Sequence, residues 1–318
     1  MLRHAVTVEY ASVTRTGLPV MVPVTPYFND ETATVDVSTG LTYPAKAERA
    51  RRNPKVALLF SDPIGSGLDA PPVVLVQGRA TVRDSDLQAN TDRYVRLTMT
   101  KVPDAYKRQP SFMLRRLNAY FARIWVSVTP TRVLWWPTAA LDQEPREWVA
   151  PEGLVPPPSD PAPAGKQPPA WLPPPSDWRQ AAAHSIQLPQ RDLAWMGADG
   201  FALAAPVAEV EQVEDGFRVA VGPHGPGTPM GPATLTLHGH PDNFSGQENH
   251  TFVGEISPEG DAYRFRVDRL LADFSVAGNG LVKTVGFLSK MRRLNARTEL
   301  EAARRGQPIP QVRLPGDR

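Results

Sequence analysis

The chain has 318 residues, enough for two domains of ordinary size, and a net charge of +2, which points to neither nucleic acid nor a membrane surface as a partner. It contains no cysteine, which excludes disulfides, thiolate nucleophiles and cysteine-ligated metals or iron–sulfur clusters. No apolar run reaches the roughly 18 residues that a membrane helix needs, and no signal-peptide core follows Met1, so a cytoplasmic location is expected.

In chain order, residues 6–10 and 20–24 are β-rich and are separated by Thr16-Gly17, a hairpin signal. Asn29-Asp30 marks the next turn and residues 32–37 the next strand. Residues 43–52 read as a short helix with Pro44 near its start, where a missing N–H costs nothing. Asn53-Pro54 ends it, because a residue before proline is pushed out of the helical region. Lys55–Phe60 (KVALLF) reads as a buried strand. The loop Ile64-Gly65-Ser66-Gly67 has no following helix or Gly-Lys pair, so it is not a phosphate loop. Residues 72–83 form a long strand, and residues 84–100 a helix with Asp84 or Ser85 as N-cap. Residues 112–121 form a second helix, and Arg123–Trp136 a hairpin-like pair around Thr129-Pro130. Six strands with two helices outside fit a small closed barrel.

The strand, turn and helix from residue 34 to residue 52 suit an anion. The free N–H groups and the dipole of a helix start favour negative charge. Thr39 and Thr42 can add hydroxyls and Lys46 a full charge. The same pattern also fits an ordinary surface helix with solvated arginines.

Between Pro137 and Pro189 the composition changes to an extended, proline-rich connector that Trp148, Trp171 and Trp178 are expected to pin against a barrel. A second β-rich unit follows from near Asp192. Its run Phe201-Ala202-Leu203-Ala204-Ala205-Pro206-Val207 parallels residues 18–24, each a short apolar strand ending in Pro-Val. Further strands are expected at residues 217–221, 234–240, 251–256 and 263–267. Where the first unit has its lysine-bearing helix, the second has Gly225-Pro226-Gly227-Thr228-Pro229-Met230-Gly231-Pro232, so no equivalent phosphate site is expected. Residues 281–304 read as a basic amphipathic helix. The expected organisation is a first barrel over 1–137, a connector over 138–190, a second divergent barrel over 191–280, and a helix and tail over 281–318.

Tyr43-Pro44-Ala45-Lys46, followed by Arg51-Arg52-Asn53-Pro54-Lys55-Val56-Ala57-Leu58-Leu59-Phe60, resembles the flavin-binding split barrel of the pyridoxamine 5′-phosphate oxidase-like superfamily. Residues 74–82 resemble the strand that passes the flavin ring, and residues 125–136 the closing strand. The resemblance implies a mainly β fold of two tandem six-stranded split barrels with peripheral helices. It implies that Thr39, Thr42 and Lys46 take a flavin phosphate, that Gln77 faces the isoalloxazine edge, and that Trp136 is the aromatic that reaches a partner's flavin. It further implies an FMN-dependent oxidoreductase of an unidentified small molecule, with the flavin between two barrels, either of a homodimer, the preferred assembly, or of one tandem chain. The basic run Arg49, Arg51, Arg52 and Lys55 suits the anionic tail of the deazaflavin F420 as the alternative cofactor. A non-catalytic flavin-, haem- or ligand-binding barrel is the alternative function. The arginine–histidine pair of the superfamily's vitamin B6 oxidases is not seen after Trp136.

His238, His240 and His250, with Glu248 and Asp242, form the one metal-like grouping. It is read as a polar strand face rather than as a metal site, although imidazoles in such number suit zinc or iron.

Overall fold

The computed structural model describes residues 1–107, 109–165, 177–244, 246–275 and 293–317. The first unit contains β1 (Val8–Val13), β2 (Pro19–Val24), β3 (Pro26–Asn29), β4 (Thr34–Gly40), β5 (Lys55–Phe60), β6 (Val73–Arg83) and β7 (Arg123–Trp136). They hydrogen-bond in the order β2-β1-β5-β6-β7-β4-β3, and β8 (Arg146–Val149) adds to β7. The two ends of that path, β2 and β3, are separated only by Thr25, so one bent strand joins both edges of the sheet. Counted as one, β2 and β3 bring the unit to six strands, as expected.

Side chains alternate between two cores. Val56, Leu58 and Phe60 of β5 point inward with Val8, Tyr10, Val74 and Val76. Ala57 and Leu59 point outward with Met21, Leu75 and Trp136, into a core shared with the second unit. That is why KVALLF is apolar at nearly every position: both faces of the strand are covered.

The helices of the first unit are α1 (Ala45–Arg52), α2 (Leu87–Lys101), and the single turns α3 (Asp104–Lys107), α4 (Ser111–Leu114) and α5 (Asn118–Phe121). Three elements differ from the expectation. The N-cap of α2 is Asp86, whose side chain accepts from the Ala89 N–H at 2.8 Å, rather than Asp84 or Ser85. The helix expected over 112–121 is broken into α4 and α5. And β7 runs unbroken through Thr129-Pro130: the register against β6 shifts between Gln77 and Gly78, and this bulge takes Pro130, which has no N–H to offer a ladder.

The second unit is a closed barrel, β10-β11-β14-β13-β12-β9, made of β9 (Gln190–Met196), β10 (Ala202–Val213), β11 (Gly216–Val221), β12 (Gly231–Gly239), β13 (Glu248–Glu259) and β14 (Ala262–Ser275). Its order repeats the first, with β9 in the place of β1, β10 in that of the bent β2–β3, and β11, β12, β13 and β14 in those of β4, β5, β6 and β7. The loop before β12 stands where α1 stands in the first unit, and it carries no helix.

The two barrels pack face to face as a pseudo-dimer within one chain. The contact of β12 with β2 is matched by that of β5 with β10, as a two-fold relation requires. Thr236 Oγ1 donates to the Met21 carbonyl at 3.0 Å, and Thr234 Oγ1 donates to the Pro19 carbonyl. The polar face of β12 is therefore an inter-barrel seam.

The connector is held by polar contacts around Asp160 and, at its end, by Trp178, which packs against the core of the second barrel. The Asp160 carboxylate accepts from the Asp84 and Ser85 N–H groups at 2.8 and 2.9 Å and pairs with Arg83. Trp148 is exposed. Trp178, in helix α6 (Trp178–Ser185), packs near Phe217, and Trp171 lies outside the described residues. Of the expected C-terminal helix, residues 293–304 are helical and residues 281–292 lie outside the described residues.

Candidate cofactor site

β4 ends at Gly40, the chain turns, and α1 begins at Ala45. The turn is closed by Tyr43 N–H to Gly40 O at 2.8 Å and by Thr39 Oγ1, which donates to Tyr43 O at 2.9 Å. Pro44 is the N-cap and supplies no side-chain cap, so the first N–H groups of α1 are left without one.

Three cations gather here. Lys46 is half-buried, and its ammonium has no hydrogen bond or ion pair among the described residues. Burial first, then Arg49 and Arg123, lower its pKa to about 8. Arg49 Nε donates to Ser12 Oγ at 2.9 Å, and Arg123 Nη2 donates to the Tyr94 hydroxyl at 2.9 Å. Arg123 also stacks its guanidinium 4.0 Å from the centre of the Tyr94 ring. A Cβ on Gly40 would lie 3.4 Å from both Arg123 Nη1 and Thr42 Oγ1, so the glycine leaves room beside a cation and a hydroxyl. Among the described residues, none of the three cations pairs with a carboxylate, and the Thr42 hydroxyl has no hydrogen-bond partner. Crowded positive charge at an uncapped helix start is relieved by an anion.

The structure thus brings Thr39, Thr42 and Lys46 together, with Thr39 shaping the turn. Arg123 is the member that sequence reasoning missed. It lies 77 positions after Lys46 and enters because β7 pairs with β4, Arg123 opposite Gly40. Gln77 and Trp136 are elsewhere, on the face that the second barrel covers. Gln77 Nε2 donates to Ala202 O at 3.1 Å, and Trp136 Nε1 donates to His224 O at 2.7 Å. Of the basic run, Arg51 pairs with Asp84 at 2.8 Å and Lys55 Nζ donates to Asp199 O at 2.5 Å, so both have structural partners.

The seam between the barrels holds a second polar cluster, fully buried. His238 Nε2 lies 2.7 Å from Glu9 Oε1 and 3.7 Å from Asp192 Oδ2. Ser61 Oγ bridges the carboxylates, donating toward Glu9 at 3.0 Å or Asp192 at 2.8 Å. The members correspond through the repeat. Glu9 sits opposite Pro23 and Asp192 opposite Pro206, the prolines of the two Pro-Val pairs. Glu9 also faces Leu59 and Asp192 faces Thr236, so Ser61 and His238, two residues further on, are equivalent too. Burial, with the charge of Asp192, raises the Glu9 carboxyl to about 7. Burial opposes the His238 imidazolium, but the two carboxylates outweigh it and raise its pKa to about 10. His240 is held separately, by Asp62 and Thr7, each at 2.9 Å. This seam reads as a latch between barrels.

No protein family and no curated protein matches the chain. Solved structures do. A conserved hypothetical protein of Mycobacterium tuberculosis, Rv2991, is 20% identical over 42% of this chain and 78% of its own, with a TM-score of 0.32. General stress protein 26 of Bacillus anthracis is 14% identical over 47% of this chain and 93% of its own, with a TM-score of 0.31. A protein titled F420 reductase is 16% identical over 42% of this chain and 91% of its own, with a TM-score of 0.32. This chain's own strand order shows the fold. It is a tandem split barrel.

Proposed function

We propose that the β4–α1 turn binds the phosphate of FMN and that the protein is a flavin-dependent oxidoreductase acting on a small molecule. The observation that carries this reading is the cluster of Lys46, Arg49 and Arg123 at an uncapped helix start, none of which pairs with a carboxylate among the described residues. A bound flavin supplies the hydride chemistry. The chain's own part is then to hold and orient it: Lys46 and the α1 N–H groups on the phosphate, Thr42 as a hydroxyl donor, and Arg123 as a second charge fixed by Tyr94. FMN is preferred to F420 because Arg51 and Lys55, two of the four cations suited to an anionic tail, already have protein partners. The proposed assembly remains a homodimer, formed by surfaces other than the covered Trp136 face.

Titrating the full chain with FMN and recording the visible spectrum tests this. The expected result is stoichiometric uptake with flavin absorption that bleaches on adding a reductant. A chain that takes up neither FMN nor F420 contradicts it. Uptake without turnover of any reductant favours the non-catalytic binding protein.

A further inference from the structure

On the second barrel, away from the cation cluster, His184 of α6 and Glu248 and His250 of β13 converge. His184 Nε2 lies 2.8 Å from Glu248 Oε1, and His250 Nε2 lies 3.3 Å from the same oxygen. All three donor atoms fall within 4.8 Å of one another. Glu248 and His250 share a face because they are two apart on a strand. His184 joins them because α6 packs on β13 and β14.

Both imidazoles aim the same ring nitrogen at one point, where a carboxylate oxygen already sits. The other nitrogen of His250 is telling. Nδ1 is buried with no hydrogen bond among the described residues, 3.6 Å from Asp273 Oδ1, and Asp273 is the residue directly opposite His250 across the β13–β14 pair. With its proton on Nε2, His250 turns a bare lone pair toward that carboxylate. With a cation on Nε2, the proton moves to Nδ1 and points at Asp273. Metal-binding histidines are oriented in this way by a carboxylate behind them.

We propose that His184, Glu248 and His250 bind a divalent ion of the zinc class, with Asp273 orienting His250. Two imidazoles and one carboxylate suit such a borderline cation. Glu248 is 20% and His184 62% exposed, so solvent reaches the site and water completes the coordination. The ion clamps α6, the helix at the end of the connector, onto the barrel.

The test uses the full chain stripped of metal and titrated with Co²⁺, whose visible absorption reports nitrogen and oxygen ligation, and then with Zn²⁺ in competition. One Co²⁺ per chain is expected, displaced by Zn²⁺. His184→Ala, an exposed position that the fold tolerates, should weaken binding at least tenfold. Asp273→Asn should weaken it about 10- to 100-fold. His224→Ala is the control, because the His224 side chain pairs with Glu144 at 2.9 Å, away from the proposed site, while its backbone contacts survive the change, and it should change nothing. Absence of the Co²⁺ spectrum, or binding that survives both His184→Ala and Asp273→Asn, overturns the proposal.

Discussion

Lys46 is a charge held where burial and two arginines disfavour it. With its pKa lowered to about 8, it is cationic below that pH and loses its proton above it. Anion binding needs the cation, so FMN affinity should be high at neutral pH and fall as pH rises through about 8. Lys46→Ala should weaken FMN by about 1.5–3 kcal/mol, the range for a charge-assisted hydrogen bond, and should flatten that pH profile. Fluorescence titration reads both. Glu9 and His238 act on stability instead. Both pKa values are raised on folding, so the folded chain binds more protons than the unfolded one and stability falls with rising pH. The Glu9 part is lost between 4.5 and about 7, and the His238 part between 6.5 and about 10. Lys46, lowered from 10.5 to about 8, works the other way above that pH, so the decline is clearest below it. Urea unfolding across this window should show the fall, and Glu9→Gln should remove its acid part. His238→Ala leaves Glu9 and Asp192 facing each other without a cation, at a cost of about 3–5 kcal/mol.

Among the elements, β7 shows how a local signal misleads. Thr129-Pro130 has the composition of a turn, yet the strand passes through by a bulge against Gly78. A Cβ at Gly78 would lie 2.5 Å from Thr129 O and 2.7 Å from Val128 Cγ1. Gly78→Ala should therefore lower stability by about 1–3 kcal/mol, as overpacking does, and thermal unfolding would register it. The connector depends on Asp160 in a similar way, since its carboxylate satisfies two N–H groups leading into α2. Asp160→Ala should release residues 150–165 from β6 and speed their cleavage by a protease relative to the parent chain. Unchanged cleavage would mean that the neighbouring contacts of Ser159 and Pro157 suffice.

At the scale of the whole molecule, the second barrel does for the first what a second subunit does in a two-fold dimer. Met21, Leu59, Leu75 and Trp136 of the first barrel share one core with Leu193, Trp195 and Ala202 of the second. A chain nicked in the connector should therefore elute as one compact pair and separate only under denaturant. Two separately eluting barrels would contradict the shared core.

The sequence does not single out β3 and β9, and it reads β7 as a pair, but most strands of both barrels, the strand–turn–helix with Thr39, Thr42 and Lys46, and its loss before β12 were legible in it. Each depends on neighbouring residues: an alternation of period two, a proline that stops a helix, a lysine one turn into it. Alternation says that a side chain lies on a face but not what covers that face. Only the tertiary structure decided that Gln77 and Trp136 are sealed by the second barrel, and that Arg123 joins Lys46. It also decided how the metal-like grouping divides, with His238 going to Glu9, His240 to Asp62, and His250 to Glu248 and His184. Those partners lie up to 229 positions apart, a separation that no local pattern spans; packing two barrels about a pseudo-two-fold brings them together.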